Sequence, residues 1–179
     1  AHARVAYLLG DYTSYYQNRM NLNPFNHLDP FGTFALYFLG FGWAKPVPVL
    51  MQNLKNPKSD MMMIAMAGPA SNMFLAMVAS IIYRLNFYFQ FSEEVIFPLE
   101  IFIQINIVLA IFNLLPLNPL DGSRILPLIV KNPRTLYNIE VYGPRVLIGL
   151  IILNLIGIPI LSTIILTPVS IIFYLLTGA

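Results

Sequence analysis

Residues 101–122 read IFIQINIVLAIFNLLPLNPLDG, and what this stretch lacks decides the fold. From Ile101 to Leu120 no side chain carries a charge. An apolar run longer than roughly 18 residues is by default a membrane-spanning helix. The run breaks at Pro116 and Pro119, and the first charge after it is Asp121, next to Gly122. A carboxylate at the edge of hydrocarbon is costly and is normally paired with a cation. Taken alone, the same Asp-Gly pair also reads as a turn in which Asp121 caps the next helix.

The pattern recurs on both sides. Met61 to Tyr83 and Val146 to Ala179 are equally free of charge. Over the 179 residues, hydrophobic side chains make up 58% and charged ones 10%, with a mean hydropathy of +0.70. A soluble domain carries about 25% charge, and a disordered chain is rich in charge and poor in apolar residues. Both classes are excluded. The net charge of +2 includes no basic run that would follow a nucleic acid, so that partner is excluded too. With no cysteine there is no disulfide, thiolate metal site or cysteine nucleophile.

The expected architecture is an all-α polytopic membrane protein. It is a helical bundle of about four to five membrane segments, forming a single membrane-embedded core over residues 1–179. Ala1 to Leu9 reads as the last turns of a helix that stops at Gly10-Asp11. Residues 11–31 are polar and turn-rich. The apolar stretch from Gly32 to Ala44 would be a helix of roughly 20 Å, short of the roughly 30 Å hydrocarbon core. A short re-entrant or hairpin element near residues 32–49 therefore fits better than a span. Spans are expected from Met61 to Arg84 and from about Val95 to Leu115. The final uncharged run, roughly 51 Å as one helix, exceeds a single crossing and is divided by Gly157 and Pro159.

The loops set an orientation. Lys45, Lys55 and Lys58 precede one span, and Arg124, Lys131, Arg134 and Arg145 follow the next. Residues 86–94 between them contain no Lys or Arg but do contain Glu93 and Glu94. The positive-inside rule places residues 45–60 and 116–145 on the cytoplasmic side of a plasma (inner) membrane.

A lone histidine on an apolar helix, such as His2, is ordinarily a packed residue, and His27 suits an interfacial loop. Asn72 and Asn113, amides inside apolar helices, suit helix–helix hydrogen bonding. In sequence order, however, AHA (residues 1–3), LNPFNHLDPFGT (22–33), GWAKPVPV (42–49), AGPASN (67–72) and NLLPLNPLDG (113–122) resemble the site-2 protease family of intramembrane zinc metalloproteases. The resemblance runs from residue 1 to about residue 145.

That resemblance implies a zinc ion held by two histidines of an HExxH helix and the aspartate of an LDG motif. His2 matches the second histidine and Asp121 the LDG aspartate. Histidines four apart share a helix face, and three protein ligands leave a position open for water, whose pKa the metal lowers. The first histidine and the glutamate base would fall four and three residues before His2, upstream of Ala1. The sequence therefore reads as cut within HExxH, with two of three ligands and no general base. The resemblance also implies Asn113 as an active-site polar group that holds substrate backbone or an oxyanion, with Asn72 as a second candidate. Phe34 to Val49 matches a membrane-associated hairpin whose edge could pair with an unwound substrate. The expected partners are a transmembrane protein substrate and the lipid bilayer. The alternative is a catalytically inactive membrane binding or transport-related protein of the same fold, with Asn72, Asn113 and Glu100 as packing or conduction groups.

Overall fold

The structure is a computed structural model that describes residues 1–21, 23–39, 42 and 44–178. Eight α-helices occur among these residues: α1 (His2–Leu8), α2 (Thr13–Tyr16), α3 (Pro30–Leu39), α4 (Pro57–Phe89), α5 (Glu93–Leu114), α6 (Leu126–Ile129), α7 (Pro133–Leu155) and α8 (Ile160–Thr177). Among the described residues the strand content is a single antiparallel bridge, Leu28 to Ala44. The protein is an all-α polytopic membrane protein. Four helices, α4, α5, α7 and α8, are long and apolar enough to cross a membrane.

The contacts divide the chain into two compact units, Ala1–Ile64 and Ala65–Ala179. In the first, α1 presents Ala3 and Ala6 inward, and Ala6 packs with Leu54 and Ile64 under a rim of Val5, Leu9, Val49 and Met61. Gly10, at φ +102°, makes the left-handed turn that ends α1 where the sequence predicts it. Asp11 then organises the loop. Its buried carboxylate accepts from Thr13 N (3.1 Å), Thr13 Oγ1 (2.5 Å), Leu50 N (2.8 Å) and Asn53 Nδ2 (2.7 Å). Buried Ser14 ties the same corner to the Pro48 carbonyl at 2.6 Å.

The apolar stretch expected to form a hairpin leaves as α3 and returns through the bridge at Ala44, where Lys45 N donates to the His27 carbonyl at 2.9 Å. Asp29 caps the start of α3 by accepting from Gly32 N at 2.8 Å. Residues 40, 41 and 43 of that expected element lie outside the described residues. At ten residues, about 15 Å, α3 is too short to span.

In the second unit, Ala76 and Ala79 of α4, Ile103 and Ile107 of α5, and Leu161, Ile165 and Val169 of α8 form the core. Alanines at that seam let the helix backbones approach closely, as membrane helices require when lipid is as apolar as protein. The opposite faces carry Phe74, Ile81, Phe97, Ile105 and Ile164, all exposed, as expected for surfaces solvated by lipid tails. Only residues 90–92 join α4 to α5. At that end the Arg84 guanidinium donates from Nε to the Leu176 carbonyl (2.6 Å) and from Nη2 to the Leu175 carbonyl (2.8 Å). These are last-turn carbonyls that have no partner within α8, and a cation suits the negative end of the helix. The end of α8 therefore lies with the start of α5, and α8 runs against α5. The final uncharged run is divided at residues 156–159, as Gly157 and Pro159 predict.

Candidate metal centre

His2 occupies the first position of α1 and is half-buried. Its Nδ1 lies 2.8 Å from the Ile64 carbonyl. A carbonyl only accepts, so Nδ1 carries the proton, and in the neutral ring the lone pair is on Nε2. Metal-binding histidines are oriented in this way, with the second ring nitrogen donating to a backbone carbonyl or carboxylate. The packing of Ala3 and Ala6 fixes the face of α1 from which this ring projects.

Asp121 is the first residue of a 3-10 turn, Asp121–Ile125, and the capping position is taken by Leu120 rather than by Asp121 itself. Its neighbour Gly122 explains the LDG spelling. A Cβ at residue 122 would stand 2.2 Å from the Leu114 carbonyl oxygen and 2.6 Å from that of Leu115. Only glycine lets this turn lie directly on the end of α5. Ser123 reinforces the turn, its Oγ donating to the Leu120 carbonyl at 2.7 Å. The preceding loop is held by Asn118, whose Nδ2 donates to the Glu140 carbonyl of α7 at 3.3 Å. Gly143 of α7 packs so closely there that a Cβ would stand 2.9 Å from Asn118 N.

Asn113 lies on the last turn of α5, the turn against which Gly122 packs. Its Nδ2 donates to the Leu109 carbonyl of its own helix at 2.9 Å. Asn72 is half-buried on α4, and its amide has no hydrogen-bond partner among the described residues. The structure thus brings Asp121 and Asn113 to one end of α5, while His2 belongs to the first unit.

Among the described residues no group of three or more His, Asp or Glu side chains stands together. His2 and Asp121 suit zinc, which takes imidazole nitrogen and carboxylate oxygen. The Nδ1–H of His2, held by a carbonyl, is the second-sphere contact that a zinc histidine needs.

Residues 89–156 match the family model described as Peptidase family M50. The chain is also 45% identical over 132 residues to "Putative zinc metalloprotease YwhC" of Bacillus subtilis (strain 168), a match covering 70% of this chain. The chain belongs to peptidase family M50, the site-2 protease family. As an M50 chain it spans about 60% of the length of that relative. The matched window contains Asn113 and Asp121, and it leaves His2 and Asn72 outside. No solved structure matches this M50 chain.

Sequence reasoning missed Asp11, whose partners lie about 40 residues away, and Arg4 and Arg19. The two arginines join His2 and His27 around a cavity of about 460 Å³ within the first unit. A charged residue beside a loop asparagine gives no local signal of such convergence.

Proposed function

We propose that this chain is the core of an intramembrane zinc metalloendopeptidase that cleaves membrane-spanning segments of other proteins. The observation that carries the reading is the Asp121 turn. A carboxylate at the end of an apolar helix is held there by a glycine that no other residue replaces, inside the region matching peptidase family M50. His2 through Nε2 and Asp121 through its carboxylate would hold the metal, with the remaining ligand and the glutamate base of HExxH preceding Ala1. When bound, zinc supplies Lewis-acid polarisation of the scissile carbonyl and acidifies a water.

The other parts belong to the chain. The Ile64 carbonyl orients His2 and keeps the proton on Nδ1. Asn113 spends one amide N–H on Leu109. Its second N–H and its Oδ1 remain for the substrate backbone, the N–H suited to developing oxyanion charge. Asn72 is the second such amide. Lipid-facing helix surfaces admit a substrate helix from the bilayer, and the backbone at Ala44, which already bridges to Leu28, marks an edge where a substrate that has unwound could pair.

The test compares three purified proteins in detergent with zinc: residues 1–179, the same chain preceded by His-Glu and one further residue, and that extended chain carrying Asp121→Asn. A model membrane-spanning peptide should be cut only by the second, and chelator should stop it. A general base alone is worth about 10²–10⁴-fold, and residues 1–179 lack a metal ligand as well, so no cleavage is expected from them. Equal cleavage by residues 1–179 would show that the glutamate is not the base.

The same reading places residues 45–60 and 116–145 in the cytoplasm of a cell whose inner membrane holds the protein. The lysine and arginine distribution supports it, as does the three-residue connection 90–92. Because Arg84 holds the end of α8, a cysteine placed at Gly178 should be labelled from the same side as one at Glu93, the outer side. Labelling of the two from opposite sides of sealed vesicles would refute this topology.

A further inference from the structure

The cavity beside His2 has a chemistry that the zinc reading does not use. Arg4, Arg19 and His27 line it with His2, between the apolar walls of Met20 and Val47, and no acidic residue lines it. Each carboxylate of the first unit is engaged elsewhere. Asp11 accepts from Thr13, Leu50 and Asn53, Asp29 caps α3, and Asp60 accepts from Asn56 N at 2.9 Å. Among the described residues, neither Arg4 nor Arg19 has a carboxylate partner.

Arg19 is also placed in advance. The chain turns at Asn18, φ +53°, a left-handed conformation that asparagine tolerates better than most residues. Arg19 N then donates to the Ser14 carbonyl at 2.8 Å, and Ser14 is itself buried and tied to Pro48. One guanidinium N–H, at Nη1, donates to the Asn26 carbonyl. The other four of its five donors are available, in the planar fork that matches a carboxylate. The half-buried side chain keeps this charge partly out of water, where an opposite charge is worth more than in bulk solvent. Arg4 packs over the Tyr7 ring at 6.0 Å and supplies the second positive wall.

We propose that this cavity is a carboxylate subsite that receives an Asp or Glu side chain of the substrate, with Arg19 as its principal contact and Arg4 as its second. The inference rests on the peptidase reading. His2 lines the same cavity, so a peptide passing the metal has a side chain within reach of these arginines. A cavity of about 460 Å³ holds one such side chain with room to spare.

The test uses binding as well as cleavage. Fluorescent membrane-spanning peptides carry one Glu, moved through positions on either side of the bond to be cut, each paired with its Gln counterpart. Anisotropy on the full chain in detergent should show one position where Glu binds at least about tenfold tighter than Gln, the size expected of a charged hydrogen-bonded contact. Arg19→Gln should bring that ratio toward one, Arg4→Gln should lower it less, and Arg19→Lys should restore part of it. Melting curves of the variants separate a lost contact from a lost fold, and exposed Arg4 provides a variant with little folding risk. Equal binding of Glu and Gln peptides at every position would overturn the subsite while leaving cleavage untouched. Absence of cleavage by the chain extended with His-Glu and one further residue, with a persistent Arg19-dependent Glu preference, would instead strike the peptidase reading. If Arg19→Gln weakened binding to phosphatidylglycerol vesicles and left the peptide ratio alone, the cavity would be a lipid headgroup site and the proposal would fail.

Discussion

The two units of this chain are held together by different physics. Residues 1–64 are pinned by polar side chains acting over long distances in sequence: Asp11 on Leu50 and Asn53, Ser14 on Pro48, His2 on Ile64. Residues 65–179 are held by an apolar seam of alanines and branched residues on α4, α5 and α8. In a bilayer such a seam gains nothing from leaving water. Close packing must supply the stability, and small residues are what permit it. A single polar group should therefore dominate the first unit, and a single cubic ångström the second.

The largest effect should come from Gly122→Ala. The added Cβ would stand 2.2 Å from the Leu114 carbonyl oxygen, which is helix backbone and cannot swing aside. Overpacking of this kind costs about 3 kcal/mol. The expected outcome is a large drop in melting temperature, with Asp121 displaced and zinc affinity of the extended chain reduced. Near wild-type stability and metal binding would mean that the end of α5 is not tightly packed, and would erase the contrast between the units.

Asp11→Asn probes the polar side. Burial opposes the charge on Asp11, but the bonds from Thr13, Asn53 and Leu50 outweigh it and hold the carboxyl below its ordinary value of 3.8. Replacing one acceptor oxygen by an N–H₂ facing those donors should cost about 2–3 kcal/mol. The pH dependence has a definite sign. A carboxyl depressed on folding contributes stability that is complete above its unfolded pKa and lost as pH falls through the folded value. The melting temperature of the wild type should therefore exceed that of Asp11→Asn by a constant margin above about pH 5 and converge with it below about pH 4. A margin unchanged in acid would show that the charge does not hold the loop.

This division also explains what was legible in the sequence. The membrane helices follow from uncharged length alone, and the break at residues 156–159 from Gly157 and Pro159. The early start of α7 at Pro133 was not legible, because Arg134, Glu140 and Arg145 make its first half look like loop. Likewise α4 begins at Pro57 and ends at Phe89, beyond the apolar run at both ends, because helical hydrogen bonding outlasts hydrophobicity. The LDG motif marked Asp121, and the glycine contact gives the motif its physical reason. Asp11, Arg19 and the carbonyl behind His2 left no trace, since each depends on a partner brought close by folding rather than by spacing.

The smallest effect, and the sharpest control on the first, is Gly149→Ala. Gly149 lies inside α7, and a Cβ there would meet nothing within 4 Å. Its backbone is not in the left-handed region, so alanine fits without strain. Glycine inside a helix costs roughly 0.5–1 kcal/mol relative to alanine, because it loses more backbone freedom on ordering. Helices already formed in lipid lose less of that freedom, so about 0.5 kcal/mol of stabilisation is expected. The same substitution should thus carry opposite signs at residues 122 and 149, read as melting temperatures in one detergent. Destabilisation at residue 149 would mean that the open face of α7 is covered by another surface, and that close packing reaches beyond the seam of α4, α5 and α8.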